Sequence, residues 1–477
     1  MRASLVAVSV AVTAALVATM ACAGAPKYTP PAIDPPAAYK ELGPWQAARP
    51  SDEALRGNWW EIFGDPDLNA LEAQVSVSNQ TLRAAEAQYL QARALVRSAR
   101  SAEMPTVTAG ASVTAADQSE NKPLRSKTSE TRYNDYFLHG DVSYEFDLWG
   151  RVASTVAAAR AAAQASAADL ESVSLSVHAE LALDYVQVRA LDTEKQILDS
   201  SVAALERALE LTRNRYKGGA ASGVDVAQAE TQLETTRAQA IDVQVRRAQF
   251  EHAIAALTGR PAPAFALPGG SLASTVPDVP PGLPATVIER RPDVAAAERR
   301  VAAANAQIGI ARAAFFPAIT LTGTAGLESS TIGDWLKLAS NFWAVGPAAA
   351  IAVFDGGRRR AGNEQAAAGR DRAEAQYRDA VLTAFKEVED NLAALRILAL
   401  EARTQDAALA AARRLLTLAN NRYQGGVTTY LEVVVAQNAA LNAERTALGI
   451  RSRRLAATIL LIKALGGGWD LTRLPVL

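Results

Sequence analysis

The sequence contains little of the side-chain chemistry on which enzymes and metal proteins depend. Its 477 residues include one cysteine, Cys22, and three histidines, His139, His178 and His252. A single cysteine excludes a disulfide within the chain, and the scattered histidines lack the spacing of metal ligands. No catalytic triad, phosphate-binding glycine loop or metal motif occurs. We therefore expect no enzymatic activity, no cofactor and no bound metal.

The chain also lacks an excess of either charge, and aromatic residues are few. Lys and Arg total 49 and Asp and Glu total 50, so the formal net charge is -1. This balance excludes the basic surface of a nucleic-acid-binding protein. Aromatic residues make up 6% of the chain, and alanine occurs in long runs. Because alanine favours helices, composition alone is compatible with a soluble helical bundle.

The N-terminus has the organisation of an export signal. Arg2 precedes a largely apolar run at 5–18, which is too short to span a membrane as a helix. Cys22 then stands where a lipoprotein signal places its acylated residue. We therefore predict a lipoprotein signal peptide at 1–21 and lipid, such as palmitate, on Cys22. The alternative is an ordinary secretory signal that is cleaved near Ala21.

The residues after Cys22 bear on the location of the protein. Ala23, rather than aspartate, follows the cysteine, and by resemblance to bacterial lipoproteins this favours the outer membrane. The next stretch is rich in proline and alanine, which is typical of an extended linker. We assign 22–58 to an acylated N-terminal tether and collar segment.

The chain is a duplication. Glu86 and Glu298, in similar surroundings, are 212 residues apart (298 − 86), and further landmarks repeat in the same order. These landmarks are the Pro-containing segments at 104–108 and 316–320, the Phe-Asp segments at 145–151 and 353–358, and the Gly-Gly segments at 215–219 and 422–426. Such a repeat indicates two copies of one structural unit. The predicted boundaries are 59–265 for the first repeat, 266–288 for a Pro-rich linker, 289–465 for the second repeat and 466–477 for a C-terminal tail.

Each repeat contains one long segment suited to a helix. Residues 151–217 and 370–424 contain neither glycine nor proline, and the first would be ~100 Å long as a continuous helix. A Gly-Gly pair ends each segment and can turn the chain back. The returning segments, 224–258 and 427–448, predict the second arm of a helical hairpin. A soluble coiled-coil hairpin would have the same pattern.

Short alternating segments distinguish the chain from such a soluble hairpin. Val107 and Ala109 alternate with Thr106 and Thr108, and similar alternation occurs at 141–147 and 319–325. This period predicts strands with one apolar and one polar face, and their length suits membrane strands. A fourth segment, at 342–354, alternates poorly and contains a proline. The remaining alternative is a soluble four-stranded sheet packed on helices.

Membrane strands would force the chain to form an oligomer. A sheet in lipid must close into a barrel, because an open edge leaves backbone groups without hydrogen bonds. The smallest membrane barrels need about eight strands. Four strands from one chain cannot close alone, so several chains would share one barrel.

Three sequence stretches then resemble a known family. The segments at 58–69 (NWWEIFGDPDLN), 144–151 (YEFDLWGR) and 289–294 (ERRPDV) resemble the outer-membrane efflux proteins of the TolC superfamily, in the NodT/OprM-type lipoprotein subgroup. The resemblance runs over about 59–465. It implies a mostly helical homotrimer in which each protomer gives four strands to a twelve-stranded barrel. The long helical hairpins would form a periplasmic α-barrel.

The resemblance also implies a function and partners. The protein would be the passive outer-membrane exit channel of a tripartite multidrug efflux system. Its partners would be a periplasmic adaptor (membrane fusion) protein, an inner-membrane transporter of the resistance-nodulation-division class and outer-membrane lipid. The alternatives are the channel of a type I protein secretion or metal efflux system and, more distantly, a soluble periplasmic scaffold.

The family's periplasmic gate can be carried over to individual residues. Asp225 and Tyr423 match a latch pair, Arg422 precedes the tyrosine, Leu431 matches a constricting apolar residue, and Glu432 matches an acidic ring. The sequence departs from the family at two positions: Thr428 stands where some members have a latch arginine, and Val435 where many have a second ring aspartate. The resemblance assigns adaptor contacts to Arg215, Tyr216, Lys217, Gly218, Gly219, Gly425 and Gly426.

Overall fold

The computed structural model describes residues 26–33, 35–42, 57–121, 123, 130–279 and 289–476. The predicted signal peptide at 1–21 and Cys22 lie outside the described residues, as do 43–56 of the predicted tether and 280–288 of the predicted linker. The fold is mostly helical with one small sheet. No helix of the described ranges combines the length and apolar character needed to cross a membrane.

Long helices alternate with pairs of strands along the chain. The helices are α1 (Pro66–Ser78), α2 (Gln80–Ser101), α3 (Arg151–Lys217), α4 (Gly223–Leu257), α5 (Pro292–Ala313), α6 (Ile332–Trp335), α7 (Arg358–Gln424) and α8 (Tyr430–Ala464). The strands are β1 (Thr106–Asp117), β2 (Arg132–Glu145), β3 (Ala318–Ser329) and β4 (Asn341–Ala350). Short 3-10 helices lie at Lys40–Leu42, Trp59–Phe63, Ala262–Ala264, Leu338–Ser340 and Leu471–Arg473.

The helices repeat in length. Helices α3 and α7 have 67 residues each, α4 and α8 have 35 each, and α2 and α5 have 22 each. At the usual rise, each 67-residue helix is ~100 Å long. The two hairpins, α3 with α4 and α7 with α8, are therefore matched in size.

The two long helices begin in the same way. A glycine in the left-handed conformation precedes each: Gly150 (φ 71°) before α3 and Gly357 (φ 90°) before α7. Asp147 accepts hydrogen bonds from two backbone amides of the first turn of α3, and Asp355 accepts one from Arg359 in α7. Because of this cap, α7 begins twelve residues before the uninterrupted run at 370–424 and tolerates two glycines.

The two long helices also end in the same way. At the end of α3, Gly219 has φ +73°, and the amide of Ala220 donates to the carbonyl of Arg215. At the end of α7, Gly426 has φ +72°, and the amide of Val427 donates to the carbonyl of Arg422. This arrangement is the Schellman motif, in which glycine accepts the left-handed conformation without steric cost. It turns each long helix into its returning arm.

The strands form one antiparallel sheet in the order β1-β2-β3-β4. One cross-strand row contains Val107, Val142, Gly323 and Val345, and the next contains Thr108, Asp141, Thr324 and Ala344. Because neighbouring residues point to opposite faces, the sheet has an apolar face and a polar face. The valines are well exposed, at 69%, 42% and 63%.

The fourth strand is shorter than the segment at 342–354. It ends at Ala350, and Pro347 lies within it, opposite Leu321 of β3. A proline cannot donate a backbone hydrogen bond, so Pro347 removes one possible donor from β4. Strand β4 is an edge strand in the described sheet.

The largest core lies midway along the molecule, where α1 packs against the long helices. It contains Leu68, Val75, Leu181, Val388 and Ile459, among others. This core also encloses a polar pair: Glu72 of α1 and His178 of α3 are buried, with 2.6 Å between Glu72 Oε2 and His178 Nδ1. The imidazole stacks on Trp60 with ring centroids 4.5 Å apart.

Burial raises the pKa of Glu72 to about 7, although the hydrogen bond and charge of His178 act to lower it. At pH values between the ordinary pKa of a glutamate and this raised value, the Glu72 carboxyl is protonated in the folded chain and ionised in the unfolded chain. The free energy of unfolding therefore decreases as the pH rises through this range.

A Glu72→Gln variant should remove this pH dependence, because glutamine keeps the shape but does not ionise. We expect the thermal midpoint of the wild type, relative to that of the variant, to fall by a few degrees between about pH 5 and pH 7.5. Calorimetry of the detergent-purified proteins measures both midpoints. A difference that stays constant with pH would contradict the assignment.

Candidate functional site

The two hairpins are joined near their tips by a second apolar cluster. It contains the buried residues Leu205, Leu209, Ala229, Leu233, Ala419, Tyr423, Tyr430, Val433 and Ala436. The rings of Tyr423 and Tyr430 meet edge to face with centroids 5.3 Å apart. A cavity of about 370 Å³ lies between the hairpins and is lined in part by Leu205, Tyr423 and Tyr430 of this cluster. The packing between the hairpins is therefore incomplete beside the tip contact.

Arg215 connects the hairpins at the tips. Its Nη1 donates to the carbonyl oxygen of Tyr423 at 2.6 Å, and its guanidinium carbon lies 4.7 Å from the centre of the Tyr423 ring. The accepting carbonyl is in the last turn of α7, where a positive charge is favourable to the helix dipole. The hydroxyl of Tyr423 donates to Thr212 Oγ1 at 3.2 Å, and both side chains are buried. Two residues of α3 thus contact Tyr423 of α7: Arg215 binds its backbone carbonyl, and Thr212 binds its side-chain hydroxyl.

Asp225 has a local role in this chain. Its carboxylate accepts hydrogen bonds from the backbone amide and the hydroxyl of Ser222, both at 2.9 Å. The amide of Asp225 donates in turn to the Ser222 hydroxyl at 3.2 Å. This is a capping box, which satisfies free amides at the start of α4. In the described structure of one chain, Asp225 bonds Ser222 and Tyr423 bonds Thr212, so the predicted latch pair is not directly bonded.

The other predicted gate residues lie at the turn between α7 and α8. Arg422 and Glu432 form an ion pair at 3.4 Å with side chains 56% and 48% exposed, so it contributes about 0–1 kcal/mol. Leu431 and Val435, one helical turn apart on α8, are 53% and 58% exposed. Thr428 lies in the turn before α8. The exposed face of α8 therefore carries an apolar stripe beside a carboxylate.

The predicted adaptor contacts surround the two turns. Tyr216, Lys217 and both Gly-Gly pairs are exposed, whereas Arg215 is only partly exposed. The predictions from sequence assigned Arg215 to an external partner and missed its contact with Tyr423. No local pattern reveals this contact, since the two residues are 208 positions apart. The capping box of Asp225 was visible in the sequence as Ser222 followed three residues later by an acid.

This chain belongs to the outer membrane efflux protein family, whose sequence model matches residues 71–260 and 283–467. Its relatives include outer membrane protein OprJ of Pseudomonas aeruginosa, 33% identical over 454 residues and covering 94% of each protein. The pyoverdine export outer membrane protein OpmQ of the same species is 31% identical over 456 residues, or 94% of this chain and 95% of OpmQ. The solved outer-membrane channel OprN has a TM-score of 0.88 at 30% identity, covering 94% of this chain and 100% of OprN.

These similarities confirm the family, the efflux function and the outer-membrane location that the sequence predicts. The fold is that of the outer-membrane channel OprN. Members of the family are channels.

If the contact made by Arg215 holds the hairpins together, Arg215→Ala should loosen the tips. It removes a charge-assisted hydrogen bond worth about 1.5–3 kcal/mol, so we expect a higher single-channel conductance in planar bilayers. Arg213→Ala is a matched control, because Arg213 pairs with Glu230 at 2.6 Å within a single hairpin. Equal conductance of the Arg215 variant and the wild type would exclude this role.

Proposed function

We propose that this protein is the passive exit channel of a tripartite multidrug efflux system of the resistance-nodulation-division type. The main support for this proposal is the described four-stranded sheet, which has an exposed apolar face and two unpaired edges and is joined to hairpins ~100 Å long. Such a sheet suits a membrane wall that is completed by further copies, and hairpins of this length suit a conduit across the periplasm. A conduit requires no covalent chemistry, in agreement with the absence of catalytic motifs from the sequence.

Three copies would complete the proposed wall as a twelve-stranded barrel. Strand β1 of one protomer would pair with β4 of the next, which removes both open edges. The row with Val107, Val142 and Val345 would face lipid, and the polar row with Asp141 would face the lumen. The number of copies comes from the family resemblance, and the need for more than one comes from the edges.

Exposed apolar side chains on the hairpins support the same assembly. Two apolar residues one turn apart on α4, Ile241 and Val245, are exposed, as are Leu382, Ile397 and Leu400 of α7. A monomer in water would leave these side chains unburied. Neighbouring protomers in a helical barrel would cover them.

The N-terminal segment supports a lipid anchor at Cys22. Pro26 accepts a hydrogen bond from Asn305 of α5 at 2.7 Å, and Glu41 pairs with Arg396 of α7. The segment therefore follows the helices away from the sheet as residue number increases. Cys22 is four residues from Pro26, a reach of at most ~14 Å, and Asn305 is ~12 Å from the end of α5 near the sheet. Acyl chains on Cys22 could therefore reach the periplasmic leaflet.

The proposed gate lies at the hairpin tips. Leu431 would narrow the pore, and three copies of Glu432 would form an acidic ring whose mutual repulsion favours bound cations. An iris-like opening would move α7 and α8 away from α3 and α4, which involves the contacts of Arg422 and Tyr423 and the nearby cap at Asp225. The exposed turns, including Tyr216 and Lys217, would bind a periplasmic adaptor that couples the channel to an inner-membrane transporter.

Deleting the gene should sensitise cells to several unrelated hydrophobic drugs, and a plasmid copy should restore resistance. Minimal inhibitory concentrations measure both effects. Loss of one secreted protein, or of metal tolerance, with unchanged drug resistance would favour the type I secretion or metal efflux alternative.

The plasmid copy also tests the proposed adaptor contact. Lys217→Glu reverses a charge at the exposed tip, and we expect it to restore less resistance. Lys195→Glu makes the same charge change on α3 at a position ~33 Å from the tip, and it should restore full resistance. Equal restoration by both variants at equal trimer levels would contradict adaptor binding at Lys217.

A further inference from the structure

One row across the sheet differs from its neighbours. It contains Gly110, His139, Gly326 and Phe342, one from each strand. The adjacent row on the same face contains Thr108, Asp141, Thr324 and Ala344. Two glycines therefore flank the histidine, and both aromatic rings of the row are on the polar face.

The glycines provide the space in which these rings lie. A Cβ at position 110 would be 2.6 Å from Cε1 of His139. A Cβ at position 326 would be 2.0 Å from the backbone carbonyl oxygen of Leu138 and 2.9 Å from Cε1 of Phe342. All three distances are too short for real contacts, so Gly110 leaves room for the His139 ring, and Gly326 is required by the backbone of β2 as well as by the Phe342 ring.

Phe137 completes a continuous aromatic surface. Its ring centroid lies 4.4 Å from that of His139 and 5.2 Å from that of Phe342. All three side chains are only partly buried. The lumen-facing side of a membrane strand is usually polar because it contacts water, so a cluster of aromatic rings on this face is unusual.

The charges on this polar face have one sign. In β1–β4 the residues of this face include the carboxylates Asp135, Asp141, Glu145 and Glu328 and, among these strand residues, neither lysine nor arginine. Glu145 pairs with Arg151 of α3. Asp141 lies beside the aromatic surface, 3.2 Å from Nε2 of His139, with its side chain 44% exposed.

A hollow lies next to the rings on the same sheet. It has a volume of about 590 Å³ and is lined in part by Asp141, Ser143, Thr322, Thr324 and Gly346. Its hydroxyl groups and carboxylate offer hydrogen bonds and negative charge. The aromatic surface borders this hollow at Asp141.

We propose that Phe137, His139, Asp141 and Phe342 form a binding subsite for organic cations that carry an aromatic ring. This proposal rests on the proposed barrel, in which the polar face lines the lumen. The cation would lie beside the rings and near the Asp141 carboxylate, while its own ring would pack against Phe137 or Phe342. Three copies of the subsite would form a belt through which cationic aromatic cargo passes on its way out.

Titration of the purified trimer with benzyltrimethylammonium, followed by saturation-transfer NMR, tests this subsite. Phe342→Leu removes a ring and Asp141→Asn removes a charge, and each should weaken binding about fivefold. Trp343→Leu is the matched control, because Trp343 is the neighbouring aromatic residue on the opposite face of β4. It should leave the affinity unchanged, and benzenesulfonate, which has the opposite charge, should show no saturable binding.

Equal affinity of the wild type, Phe342→Leu and Asp141→Asn would overturn the subsite, as would equal binding of benzenesulfonate. The same preparations are assayed for trimer formation and for channel conductance in bilayers. Intact conducting trimers with unchanged affinity would contradict the subsite alone. A chain that forms neither trimers nor channels would contradict the proposed function itself.

Discussion

The unpaired edges of the four-stranded sheet constrain the whole molecule. Within the described sheet, β1 and β4 have a partner on one side only, and the face that carries Val107 and Val345 is exposed. In lipid, every backbone amide and carbonyl needs a partner within the protein. In the proposed barrel, the two edges obtain their partners from other copies, which would also cover the exposed apolar residues of the long helices.

The hairpins allow such an assembly to be both long and movable. Matched Schellman turns end α3 and α7, and the returning helices α4 and α8 begin directly after them. The two hairpins therefore have similar tips. Continuous packing holds the middle of the molecule, whereas the tips depend on a small cluster and on the contacts of Arg215 and Thr212 with Tyr423. A structure that is firm in its centre and held by few contacts at its end is suited to opening at that end.

The sequence was sufficient for features that depend on local chemistry. The Gly-Gly pairs predicted where the long helices end, and alternation predicted the strands that contain 106–109, 141–145 and 319–325. One local cap and several tertiary contacts explain what was missed. The cap at Asp355 extends α7 upstream through Gly362 and Gly369, and pairing with β3 keeps Pro347 within β4. Arg215 and Tyr423 meet only because two hairpins pack together, and Glu72 meets His178 only within the folded core.

The mass of the intact assembly, measured by native mass spectrometry after detergent extraction from outer membranes, tests the central claim most directly. Our account predicts three copies of the mature chain, each carrying the additional mass of acyl chains at its N-terminus. A folded, water-soluble monomer would contradict the account, because the open edges and the exposed apolar face would then need no neighbours. An assembly of three chains without acyl mass would retain the barrel and exclude the lipid anchor.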